Sequence, residues 1–182
     1  MVKALINIDY TNDFVADQGA LTCGKPGQEI EGAIVRVTND FITNGDFVVF
    51  AIDMHENDDT FHPESTLYPP HNIKSTEGRN LFGKLANTYE KNKEKENVFW
   101  MDKTRYSAFA GTNLEIKLRE RGITEVHLVG VCTDICVLHT AVDAYNKGFS
   151  IVIHENAVAS FKEQGHLWAI THFKACLNAK VV

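Results

Sequence analysis

Val126-His127-Leu128-Val129-Gly130-Val131 runs directly into Cys132-Thr133-Asp134-Ile135-Cys136-Val137. The first part is an apolar run of strand length, and from Ile135 to Asn146 the spacing of apolar residues becomes helical. A strand that turns straight into a helix is the repeating step of a βαβ protein. Outward from this junction, similar apolar runs stand at Ala4–Ile8, Phe47–Ile52, Val98–Met101 and Ile151–Ile153, and Lys180–Val182 ends the sequence. They are continuous rather than alternating, as strands covered on both faces are. Helical spacing fills the gaps at Gln28–Phe41, about Leu81–Asn92, Asn113–Arg121, Ile135–Asn146 and about Glu163–Cys176. Thr112-Asn113-Leu114-Glu115 has the form of a capping box, and Gly122 and Gly148 stand where a left-handed helix end is expected. The expected fold is a three-layer α/β/α sandwich around a mostly parallel, doubly wound six-stranded sheet with right-handed crossovers.

Composition narrows the function. With 182 residues and 44% hydrophobic content, the chain suits a single domain over residues 1–182 with a sizeable core. No run of eighteen or more apolar residues occurs, and Met1-Val2-Lys3-Ala4-Leu5 leads into a strand rather than a signal peptide, so a soluble, cytoplasmic protein is expected. Four cysteines in a chain of this length read as reduced thiols, not as a disulfide framework. A net charge of -6 without a basic stripe argues against nucleic acid and anionic membrane as partners, and favours a small-molecule ligand. Phe161 and Trp168, near the last helix, suit either the core or the interface of a homo-oligomer.

In a sheet of this kind ligands bind beyond the carboxyl ends of the strands. Asp9 follows the first run, Asp53 and His55 the second, Asp102 and Lys103 the third, and Cys132 and Cys136 the fourth. One polar residue there is ordinary, whereas ionisable groups after four successive strands point to an active site. Cys136 at the start of a helix meets backbone N–H groups that favour a thiolate and can hold an oxyanion, although a cysteine near a helix start is more often a packing residue. Asp9 can accept the thiol proton and return it to a leaving amine, and Lys103 supplies a cation for the anionic pair.

Asp53 and His55, two apart in an extended segment, leave the backbone on the same side. The segment from about 53 to 80 is long, bears prolines and lacks clear periodicity, which marks a functional loop. With His71, and with Glu64 or a water, Asp53 and His55 make a nitrogen and oxygen donor set suited to one divalent ion, Zn, Fe or Mn. His62 is a weaker candidate, closer to a satisfied loop histidine.

The blocks Ile8–Phe14, Asp53–His71, Lys103–Phe109 and Gly130–Val137 resemble, in order and spacing, the nicotinamidases of the isochorismatase-like cysteine hydrolases. The likeness spans nearly the whole chain. It implies a triad of Asp9, Lys103 and Cys136, with Cys136 the nucleophile and Asp9 the proton carrier. It implies a metal held by Asp53, His55 and His71, with Glu64 a further contact made directly or through water, and binding of the pyridine nitrogen of nicotinamide to that metal. A cis peptide between Val131 and Cys132 would turn the Cys132 amide toward the oxyanion beside that of Cys136. Phe14, Tyr68 and Tyr106 are candidate aromatic walls of the substrate pocket, Tyr106 also fitting a packed surface aromatic. The activity implied is hydrolysis of nicotinamide to nicotinate and ammonia through a cysteine thioester, for NAD salvage, with pyrazinamide as a further substrate.

Cys132 departs from the aliphatic residue or alanine frequent in relatives, and an i, i+4 pairing with Cys136 generally lacks disulfide geometry. Two other readings remain at this level: an amidohydrolase for another small amide or ureido compound, and a redox-sensing binding protein. The absence of a G-x-G-x-x-G turn after the first strand lowers the second.

Overall fold

The computed structural model describes residues 2–182. Six strands, β1 (Lys3–Ile8), β2 (Phe47–Asp53), β3 (Val98–Lys103), β4 (Glu125–Val131), β5 (Ser150–Ala159) and β6 (Lys180–Val181), form one sheet in the order β3-β2-β1-β4-β5-β6. Every pairing is parallel. The expected doubly wound α/β architecture is therefore the observed one. The order in which successive strands are added reverses between β1 and β4, so the crevice beyond those strands is where the fold opens to a ligand.

The helices are α1 (Asn12–Val15), α2 (Lys25–Glu29), α3 (Glu31–Thr43), α4 (Gly83–Asn92), α5 (Leu114–Arg119), α6 (Leu138–Asn146) and α7 (Glu163–Leu177). Alternate strand residues face opposite layers. Ile6, Ile8, Val49 and Leu128 pack with Leu118 of α5, Ala141 of α6 and Phe173 of α7. Leu5, Val48, Phe50 and Val129 pack with Ile34 and Phe41 of α3 and Leu85 of α4. Each fully buried Val, Leu, Ile or Phe among them contributes about 1.5–3 kcal/mol by leaving water. Phe161 joins the second layer at its edge, whereas Trp168 is half-exposed and stacks on His172.

Several boundaries differ from the sequence reading for identifiable reasons. The expected helix at Gln28–Phe41 begins earlier, because Pro26 fits the first turn of α2, and it breaks at Ile30. The capping box forms only in part: Thr112 Oγ1 accepts from the Leu114 amide at 3.2 Å, but Glu115 turns away to Lys147 at 2.7 Å. β5 runs on to Ala159, across the polar stretch His154-Glu155-Asn156 that hides it in the sequence, with an irregular register against β4. Gly122 and Gly148 adopt the expected left-handed conformation, with φ of 64° and 74°. Gly130 is required more strictly: its φ is 119°, and a Cβ there would come within 2.0 Å of the Ile8 carbonyl oxygen.

Candidate active site

The register of the sheet brings the strand ends together. Ile52 pairs with Asp102 and Asp53 with Lys103, while Ile8 pairs with Gly130, so Asp9, Asp53, Lys103 and the turn after β4 share one rim. Asp9 adopts φ of 54°, a left-handed conformation that aspartate tolerates better than most residues. Its Oδ1 accepts from the Asp53 amide at 2.7 Å, and its Oδ2 lies 2.7 Å from Lys103 Nζ without a well-aligned hydrogen bond. Lys103 Nζ is also 3.5 Å from Asp53 Oδ1 and 3.8 Å from Cys136 Sγ, and it donates to the Arg105 carbonyl at 3.1 Å. The three residues expected as a triad are thus in contact, and all are buried.

Charge explains their protonation. Burial penalises every ion here, and a single ammonium serves two carboxylates. Burial raises the Asp53 carboxyl, but Lys103 and then His55, at 2.6 Å, outweigh it and hold Asp53 at about 2. Asp9 has no histidine beside it: burial, opposed by Lys103 and reinforced by Asp53, lifts it to about 6. Burial works against the Lys103 ammonium, yet Asp53 and Asp9 keep it firmly charged. Burial also raises the Cys136 thiol well above its usual value, against the pull of Lys103. The resting sulfur is therefore a thiol, which corrects the thiolate expected from its place at a helix start. Desolvation, with the neighbouring Asp9 and Asp53 carboxylates, outweighs the Lys103 ammonium.

The turn carrying Cys136 is itself unusual. Thr133–Val137 forms a wide π turn before α6, and the Cys132 carbonyl accepts from the amides of Ile135 and Val137, both at 3.1 Å, passing over that of Cys136. The Val131–Cys132 peptide is cis, as the resemblance implies. Asp134, to which the sequence reading gave no role, anchors this turn by accepting from Ser160 Oγ at 2.6 Å.

Beside the triad, Asp53, His55, Glu64 and His71 place four buried ligand atoms within 4.8 Å of one another. His71 Nδ1 donates to the Pro69 carbonyl at 2.8 Å, which leaves Nε2 as the acceptor in the neutral ring, and this buried atom has no hydrogen-bond partner. It lies 3.7 Å from Asp53 Oδ2 and 3.5 Å from Glu64 Oε2. A lone pair buried among carboxylate oxygens fits a divalent cation. His62 does not belong to this set, since Nε2 donates to the Thr104 carbonyl and Nδ1 accepts from the Glu64 amide.

The aromatic candidates divide. Phe14 meets His71 edge-on at 5.3 Å, and Tyr68 does so at 6.1 Å. Tyr106 packs on His139 at 5.2 Å and lines a cavity of about 390 Å³ with Glu64 and Leu67. A supporting layer escaped the sequence reading. Asp13 Oδ2 accepts from the Asn72 amide at 2.7 Å, Thr11 Oγ1 donates to Asn72 Oδ1 at 2.9 Å, and the Asn72 carbonyl accepts from the His55 amide at 3.1 Å. Asn72, at φ of 45°, thereby holds the backbones of His55 and His71. The only sequence signal was position: Thr11 and Asp13 lie just beyond the first strand.

Known proteins share this fold. The crystal structure of nicotinamidase/pyrazinamidase PncA from Bacillus subtilis is similar with a TM-score of 0.99 and 66% identity, covering 100% of both chains. That of pyrazinamidase/nicotinamidase from Streptococcus mutans UA159 gives 0.97 and 55%, covering 99% of each. The pyrazinamidase of Pyrococcus horikoshii in complex with zinc gives 0.86 and 26%, covering 100% of this chain and 99% of that one. The isochorismatase domain model matches residues 3–181. The chain belongs to the isochorismatase family.

Proposed function

We propose that the protein is a nicotinamidase, hydrolysing nicotinamide to nicotinate and ammonia in the cytoplasm, with pyrazinamide as a second substrate and residues 1–182 acting as one catalytic domain. The observation that carries this reading is the chain of contacts from Cys136 Sγ to Lys103 Nζ at 3.8 Å, and from Nζ to Asp9 at 2.7 Å and Asp53 at 3.5 Å. It joins an amidase triad to the metal-facing carboxylate. The names of the Bacillus and Streptococcus relatives support the substrate.

Asp9 takes the proton of the Cys136 thiol as the sulfur adds to the carboxamide carbon, and Lys103 holds the charge of the pair in place. The amides of Cys132 and Cys136 stabilise the oxyanion. Asp9 then gives its proton to the departing ammonia, and later activates the water that hydrolyses the thioester. A divalent ion held by Asp53, His55, His71 and Glu64 would supply a Lewis-acidic anchor for the pyridine nitrogen. Phe14 and Tyr68, flanking His71, fit the ring faces of such a heterocycle.

Ammonia release from nicotinamide and from benzamide, before and after chelation and restoration of zinc or manganese, tests the reading. Turnover of nicotinamide that is lost on chelation, restored by metal and far above that of benzamide is expected. Equal turnover of both amides would remove the ring anchor.

A further inference from the structure

Cys132 has a partner, and it is not Cys136. Its sulfur lies 3.3 Å from that of Cys23, a residue 109 positions earlier on the segment between α1 and α2. Both side chains are buried, and the four cysteines of the chain are free thiols. The Cys23 amide donates to the Phe14 carbonyl at 2.8 Å, so the backbone that carries this thiol is held in place. The Cys132 carbonyl anchors the π turn that carries Cys136. No step of the proposed hydrolysis uses this contact between two thiols far apart in sequence.

We propose that Cys23 and Cys132 are an oxidation site, forming an intramolecular disulfide with hydrogen peroxide as oxidant, and that this bond reversibly lowers hydrolysis. The sulfur of one cysteine attacks a peroxide oxygen, yielding a sulfenic acid and one water. The second sulfur attacks the sulfenic sulfur and expels another water. The two thiols together lose two protons and two electrons, and one peroxide becomes two waters. Hydrogen bonding to Cys23 and burial keep the Cys132 thiol protonated, so the bond forms slowly, over minutes to hours, with a small neutral oxidant. Closing 3.3 Å to a bond of about 2.05 Å draws the Cys132 backbone toward Cys23. A displacement of about 1 Å in catalytic geometry can cost roughly a hundredfold in rate. The rate effect rests on the placing of the Cys132 amide in the proposed reaction, whereas bond formation does not.

The test treats the metal-loaded protein with a modest excess of hydrogen peroxide, alkylates the remaining thiols and identifies linked peptides by mass. Ammonia release is followed before and after dithiothreitol. A Cys23–Cys132 linked peptide is expected, with activity falling about tenfold to a hundredfold and returning on reduction. Cys23→Ser and Cys23→Ala should keep basal activity and show neither the linked peptide nor the reversible loss. Oxidation of the exposed Cys176 without that peptide would overturn the site. A linked peptide with unchanged activity, or equal reversible loss in both variants, would overturn the control of hydrolysis. Since the peptide is read by mass, its absence is distinguishable from failure of nicotinamide as substrate.

Discussion

Lys103 Nζ lies 2.7 Å from Asp9 Oδ2, and neither side chain reaches solvent. Because Asp53 also draws on Lys103 and has His55 besides, the carboxyl left under-compensated is that of Asp9, which titrates at about 6. In metal-free protein an NMR titration should find this carboxyl near 6, and loading a divalent cation beside Asp53 should move it lower. Below its pKa Asp9 carries a proton and cannot take that of Cys136, so kcat/KM rises with pH through the Asp9 value. The stability linkage has the same origin. The folded value of about 6 exceeds the ordinary 3.8, so the contribution of Asp9 to stability is complete below 3.8 and is lost as pH rises through 6.

Asp13 never meets the metal-facing atoms, yet it holds the Asn72 amide at 2.7 Å. Asp13→Ala should weaken zinc binding about 10- to 100-fold, as loss of an outer partner does, while His71→Ala should lose nearly all of it. Competition with a chelating dye reads both constants without an activity assay. Unchanged zinc affinity in Asp13→Ala would show that the loop holds its shape without this contact.

Gly130→Ala places a methyl group 2.0 Å from the Ile8 carbonyl in the centre of the sheet, at φ of 119°. Neither β1 nor β4 can yield without moving Asp9 or the catalytic turn. Urea unfolding should show a loss of at least about 3 kcal/mol.

The first four strands were legible because Ala4–Ile8, Phe47–Ile52, Val98–Met101 and Val126–Val131 are nearly unbroken apolar runs, and with them the residues that follow: Asp9, Asp53, Lys103 and Cys136. Sequence order along a parallel sheet translates directly into a shared rim. The gathering of Asp53, His55, Glu64 and His71 was legible from residue types in one loop. What local pattern could not show depends on contacts between distant segments. Glu115 was captured by Lys147, 32 residues away, and so left its capping box. Asn72 depends on Thr11 and Asp13, and Cys132 faces Cys23 rather than the nearer Cys136. The thiol state of Cys136 was missed for a different reason, since it follows from burial and from carboxylates that other strands bring beside it.

The most direct test of the account is ammonia release from nicotinamide by Cys136→Ala, with metal content and unfolding measured on the same preparation. The expected result is a loss of at least about a thousandfold in kcat, with wild-type metal content and stability. Release within tenfold of the wild-type rate would contradict nucleophilic attack by this sulfur.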